Sequence, residues 1–72
     1  MDNVDKLEAE LMEQLLDSNG MSRYHSHDSL NAVLRVAATT IWNCSDTEEQ
    51  IPRILEQFVT ELQRQIMQRL SN

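Results

Sequence analysis

The scarcity of chain-breaking residues constrains this sequence more than any other feature. One glycine, Gly20, and one proline, Pro52, occur in 72 residues. Leu, Glu, Gln, Arg and Met, which are frequent here, have high helix propensity. The sequence therefore predicts an all-α fold. The few places where the helical pattern fails divide the chain into three segments.

The first segment has the spacing of an amphipathic helix over residues 3–18. Its apolar residues recur at three- and four-residue steps: Val4, Leu7, Leu11 and Leu15. Asp2 or Asn3 can cap the beginning of this helix. The pair Asn19-Gly20 supplies the left-handed residue that commonly ends one.

A polar stretch over residues 19–27 predicts a loop, and a second helix is predicted over 28–43, capped by Asp28 or Ser29. The apolar stripe of this helix comprises Leu30, Val33, Leu34, Ala37, Ile41 and Trp42. Val36 and Ala38 widen the stripe. Because this helix is apolar around much of its circumference, it is the predicted central helix of the fold.

The third segment is predicted to be a helix over 52–70, preceded by a turn over 44–51. Ser45 and Glu48 have the spacing of a capping box. Pro52 favours a helix that begins near it, and the alternative is one kinked helix starting at Ser45. The stripe continues through Ile54, Leu55, Phe58, Leu62, Ile66 and Leu70. Short connections predict an antiparallel hairpin of helices 2 and 3, joined by helix 1 in a single domain of residues 1–72.

Charge and length exclude several classes of function. The net charge is −6, of which residues 1–20 carry −5. Six basic residues scattered along the chain provide no face for phosphates, so direct binding of nucleic acid is not expected. No apolar run approaches the ~20 residues of a membrane span. The N-terminus is acidic where a signal peptide would be basic, and the chain has a single cysteine. Both features predict a cytoplasmic protein.

Chemistry-bearing residues do not form a recognisable catalytic or metal site. His25, His27 and Asp28 lie together, but Cys44 is at the far end of the second helix, about 22 Å away at 1.5 Å per residue. A closed zinc site needs four ligands in a suitable spacing. No serine or cysteine has a base and an orienting group beside it in a hydrolase motif. We therefore expect no enzymatic activity, no metal and no cofactor.

The tripeptide Asp28-Ser29-Leu30 resembles the motif that carries the prosthetic group in acyl carrier proteins. The resemblance covers these three residues and the short, acidic, helical character of the chain. It implies a phosphopantetheine arm on Ser29. Asn31, Arg35 and Thr39 stand where that family has acidic residues, so the second helix departs from the family's pattern at these positions.

Apolar residues in excess of what three short helices can cover predict a protein-interaction function. The residues assigned to the chain's own core are Leu34, Ile41, Leu55, Phe58 and Leu62. The interface is predicted to include Trp42, Phe58, Val59, Ile66, Met67 and Leu70. Because a chain of this length has a thin core, the expected partner is a second copy that completes it. The alternatives are a different protein bound through the acidic first helix, and the carrier function at Ser29.

Overall fold

The computed structural model describes residues 2–71 and is all-helical. It contains three α-helices, α1 at Asn3–Leu15, α2 at Ser26–Cys44 and α3 at Ile51–Ser71. A 3-10 helix at Glu48–Gln50 leads directly into α3. Within residues 2–71 the only β-type pairing is one isolated bridge between Leu16 and Ser22. The predicted all-α class is confirmed, whereas the hairpin and its completion by a second chain stay predictions.

The chain divides into two compact units, and the boundary lies inside α2. The first unit ends at Arg35 and contains α1, the following loop and the first half of α2. The second unit begins at Val36 and contains the rest of α2, the 3-10 helix and α3. The prediction of a single domain is neither supported nor contradicted by this division.

Helix α1 begins as predicted and ends earlier than predicted. The Asp2 side chain accepts a hydrogen bond of 2.8 Å from the backbone N–H of Asp5 and caps the helix. At the other end Leu16 is extended, so the helix stops at Leu15 and not at residue 18. The Asp17 carboxylate accepts the N–H groups of Asn19 and Met21, which stabilises a loop where a further helical turn was predicted.

The loop after α1 is fixed by Gly20 and Arg23. Gly20 has a φ of +79° and donates its N–H to the Asp17 carbonyl at 3.0 Å, so it closes a turn within the loop and does not cap α1. The Arg23 Nε donates to the carbonyl oxygens of Glu13 and Leu16, at 3.0 and 2.9 Å. The loop therefore satisfies carbonyls at the C-terminal end of α1 that have no partner within the helix.

Helix α2 begins at Ser26 with His25 in the capping position. The His25 carbonyl accepts the N–H groups of Asp28 and Ser29, and its Nδ1 accepts that of His27 at 3.2 Å. The prediction that Asp28 or Ser29 caps α2 is therefore wrong. Both residues lie inside the first turn, because an imidazole takes the acceptor role that is more common for Ser, Thr, Asp or Asn.

The predicted capping box before α3 is also wrong. The Ser45 hydroxyl donates to the Ile41 carbonyl at 2.9 Å, which places it at the end of α2. The Gln50 side chain instead accepts the N–H of Asp46 at 2.9 Å. Helix α3 begins at Ile51, so Pro52 lies in its first turn, where a missing N–H leaves no helical hydrogen bond unmade.

No side chain among residues 2–71 is buried, so the predicted core is wrong. Leu55, Phe58 and Leu62 are 47%, 44% and 49% exposed, and Leu34 is also exposed, although Ile41 is half-buried. Helix α2, the predicted central helix, has no buried residue. The half-buried side chains of the second unit are confined to the neighbourhood of its turn: Ala37, Ile41, Ser45, Ile51 and Ile54. An apolar stripe indicates which face avoids water, but it does not identify what covers that face.

Candidate interaction surface

The apolar side of α3 is the most extensive unpartnered surface in the second unit. We call it the α3 apolar face and define it by seven residues: Ile51, Leu55, Phe58, Val59, Leu62, Ile66 and Leu70. At 3.6 residues per turn these positions fall within an arc of about 120°. All of them except Ile51, which is half-buried, are exposed. The exposed fraction reaches 75% at Leu70, near the end of the helix.

The opposite side of α3 is polar and is stabilised along the helix itself. Glu61 and Arg64 form an ion pair, and Gln65 donates a further hydrogen bond of 3.3 Å to the Glu61 carboxylate. These hydrogen bonds, first that from Arg64 and then that from Gln65, lower the pKa of Glu61 to about 2. The same pairing raises the pKa of Arg64. This side of α3 therefore has its charges partly satisfied without a partner.

The structure places five of the six predicted interface residues on α3, and all six are exposed. Phe58, Val59, Ile66 and Leu70 lie on the α3 apolar face. Met67 follows Ile66 by one position, so it points about 100° away from Ile66 and lies about 60° outside the arc of that face. Trp42 lies near the end of α2 and is 63% exposed.

The sequence interpretation missed three residues of this surface, one of which is Ile51, placed in the predicted turn over 44–51. Leu55 and Leu62 were assigned to the chain's own core, yet both occupy the middle of the α3 apolar face. Their central position in the stripe was visible in the sequence. The number of copies of the chain that share them was not.

His25 and His27 lie at the start of α2, whereas Cys44 lies at its other end. His25 and His27 are exposed, and their rings stack with centroids 5.4 Å apart. Cys44 is an exposed free thiol at the last residue of α2. Within residues 2–71 no group of three or more His, Cys, Asp or Glu side chains is arranged to hold a metal ion.

Ser29, the residue of the carrier alternative, is half-buried in the first turn of α2. Its hydroxyl oxygen is buried and has no hydrogen-bond partner among the described residues. A serine that carries a prosthetic group has to present its hydroxyl to a modifying enzyme. The observed position of this oxygen therefore gives the carrier alternative no support.

No protein-family model, curated protein or solved structure matches the chain. Among the helices described here, none is both long and apolar enough to cross a membrane.

Proposed function

We propose that this protein is a non-catalytic interaction protein that forms a homodimer, in which the α3 apolar face of one copy packs against the same face of a second. The observation that carries this proposal is the exposure of Leu55, Leu62 and Ile66, which is 47–50% along the centre of that face. Leucine and isoleucine in such a stripe are normally covered in a folded protein. A regulatory, adaptor or accessory role in the cytoplasm follows as part of this proposal.

The side chains of the α3 apolar face provide apolar area for an interface. Six of its seven residues, all but Ile51, are 41–75% exposed. Covering apolar surface stabilises an association by about 25 cal/mol per Å² that is removed from water. A homodimer that pairs this face therefore gains from each of these side chains in both copies.

A second copy is the occupant that the character of the face favours. The α3 apolar face has no charged residue among its seven members, and only Arg69, in the last turn of α3, points into the same arc. A partner must therefore present a surface that is mostly apolar, and a second α3 does so. Two-fold pairing of identical faces closes on itself and leaves neither face exposed.

Sedimentation equilibrium at micromolar concentration tests the proposal with a matched pair of variants. Ile66→Glu introduces a carboxylate into the α3 apolar face. Gln57→Glu introduces the same group at a position that lies about 100° or more around the helix from every member of that face. We expect wild type and Gln57→Glu to have twice the mass of 8.4 kDa, and Ile66→Glu to dissociate. Burying an unpaired charge is strongly destabilising.

Circular dichroism on the same samples measures whether Ile66→Glu has lost helix content as well as its partner. If folding depends on dimerisation, Ile66→Glu loses helix content on dilution at concentrations where wild type is still dimeric and folded, because the fold is coupled to mass action. A wild type that sediments as a stable 8.4 kDa monomer would refute the proposal. So would an Ile66→Glu variant that is as dimeric as Gln57→Glu.

The exposure of α1 favours a second candidate, the binding of a different protein through the first unit. Val4, Leu7 and Leu11 are 72%, 55% and 50% exposed on one side of α1, and residues 1–20 carry a net charge of −5. A basic amphipathic helix would complement both properties. Calorimetry with such a model peptide tests this candidate. Binding should be weakened by Leu7→Glu and unaffected by Ala9→Glu, which lies on the other side of the helix.

A further inference from the structure

The charges at the two ends of α3 specify how two copies are oriented. We infer that the α3 helices of the dimer pair antiparallel, with Arg69 of one copy beside the acidic start of α3 in the other. This inference rests on the proposed homodimer and adds its geometry and the residues that determine its orientation. It concerns one occupant, a second copy of this chain.

The apolar residues of α3 fix the register of an antiparallel pair. Leu55, Val59, Leu62 and Ile66 follow each other at alternating steps of four and three residues, which is the spacing of a helix–helix seam. Antiparallel alignment then places Val59 opposite Leu62 and Leu55 opposite Ile66. The same register places Ile51 opposite Leu70, so the whole length of α3 is matched.

Charge is distributed unequally along this surface. Glu48 and Glu49 form the 3-10 helix with Gln50, and Glu56 lies one turn into α3. In a 3-10 helix side chains three apart eclipse, so Glu48 lies on the same side as Ile51, a member of the α3 apolar face. Arg53, by contrast, points to the opposite side of α3. The start of the face is therefore flanked by acids.

The end of the α3 apolar face carries a basic residue. Arg69 is in the last turn of α3, is exposed and points to the same side as Ile51 and Leu62. Within residues 2–71 the only ion pair is Glu61–Arg64, so Arg69 has no acidic partner among these residues. In the antiparallel register Arg69 faces Pro52 of the second copy, and Glu48 of that copy lies about one turn away on the same side of the seam.

A parallel pair would place like charges against each other. Arg69 would then meet Arg69, and each glutamate would meet its own equivalent in the second copy. The dipoles of two α3 helices would also be aligned in the same direction, which antiparallel packing avoids. Opposite charges at the two ends of one face therefore favour the antiparallel arrangement.

Distances between spin labels distinguish the two orientations in the full chain. Cys44→Ser removes the native thiol, and Ser71→Cys or Thr60→Cys then provides one labelling site per chain. Residue 71 aligns with residue 50 of the second copy in the antiparallel register, which offsets the Ser71→Cys labels by about 30 Å along the helix axis at 1.5 Å per residue. Because Ser71 and Thr60 both point away from the α3 apolar face, two helix diameters add a lateral separation of about 20–30 Å at either site. In an antiparallel dimer we therefore expect about 40 Å between the Ser71→Cys labels and about 20–30 Å between the Thr60→Cys labels, whereas a parallel dimer gives about 20–30 Å at both sites.

The outcomes separate this inference from the proposed function. A long distance at residue 71 with a short one at residue 60 supports antiparallel pairing. Short distances at both positions in a protein that sediments as a dimer would overturn the orientation and leave the homodimer standing. A monomer without any inter-label distance would overturn the homodimer itself.

Charge reversal gives a second and independent readout. In an antiparallel dimer Arg69→Glu should raise the dissociation constant by about 2- to 5-fold, the range of an exposed ion pair. Combining Arg69→Glu with Glu48→Arg should restore the wild-type value. In a parallel dimer the single reversal only replaces one like-charge pair by another, so an unchanged dissociation constant would contradict the inference.

Discussion

The Arg23 Nε lies 2.9 Å from the carbonyl oxygen of Leu16 and donates a hydrogen bond to it. The same nitrogen donates to the Glu13 carbonyl at 3.0 Å, so one guanidinium serves two carbonyls at the end of α1. A helix end has up to four carbonyls without helical partners. The arginine is therefore a C-terminal cap that comes from the loop and not from the helix.

Removing this cap should destabilise the protein. We expect Arg23→Ala to lower the free energy of unfolding by about 1 kcal/mol, the typical net contribution of a hydrogen bond. Arg35→Ala is the matched control, because Arg35 is exposed on α2 and forms no hydrogen bond with another described side chain. Urea denaturation at one fixed protein concentration measures both variants. Equal losses in the two would contradict the capping role.

Gly20 should resist replacement because of its backbone conformation alone. Its φ is +79°, and an added Cβ would meet no atom within 4 Å. We expect Gly20→Ala to lower the free energy of unfolding by about 1–2 kcal/mol, the penalty for a left-handed residue with a side chain. Gly20→Asn should lose less, because asparagine tolerates this conformation. Thermal unfolding of the two variants checks this order.

The capping role of His25 predicts that a better acceptor stabilises α2. Aspartate is among the preferred capping residues, and its charge also suits a helix N-terminus. His25→Asp should therefore raise the free energy of unfolding by about 0.5–1 kcal/mol, whereas His25→Ala should lower it. Circular dichroism during thermal unfolding distinguishes the two directions. A destabilised His25→Asp variant would show that the imidazole has another role.

The Glu61–Arg64 pair predicts a specific dependence on pH. The pKa of Glu61 is lowered to about 2, from an ordinary value of 4.5. A carboxyl whose pKa is lowered by folding stabilises the folded state above its ordinary pKa, and this contribution is lost as pH falls through the lowered value. We therefore expect the stabilisation to disappear between pH 4.5 and about 2.

Carbon NMR of the Glu61 carboxyl measures this titration directly. In Arg64→Gln the pKa of Glu61 should move back up towards its ordinary value, because the hydrogen bond from Arg64 is the largest cause of its depression. High salt should weaken the effect, since both side chains are at the surface. A titration curve that is the same in both proteins would contradict the assignment.

Local pattern was sufficient to predict the helices and not sufficient to predict their ends. The apolar steps and the single glycine and proline located all three helices, and the observed cap, Asp2, was one of the two residues predicted for that role. At Ser45 and at His25 the sequence offered several acceptors within a few residues. Which of them bonds to which backbone group depends on the conformation of the whole turn, and a sequence motif does not contain that information.

The candidate surface was predicted in part for a related reason. Periodicity identifies the side of α3 that avoids water, and four predicted residues lie on that side. It does not distinguish a side covered by the same chain from one covered by another, so Leu55 and Leu62 were assigned to a core that the structure lacks. The distinction depends on how much apolar area the folded chain has and on how much of that area its own helices can cover.

The exposure of Trp42 has a practical consequence for every experiment above. It is the only tryptophan in the chain, and 63% of its surface is accessible. Indole fluorescence responds to the loss of surrounding water, so emission from this one position reports on whatever covers the second half of α2. The protein thus carries its own optical probe of association, which can be read on unlabelled wild-type material during a simple dilution series.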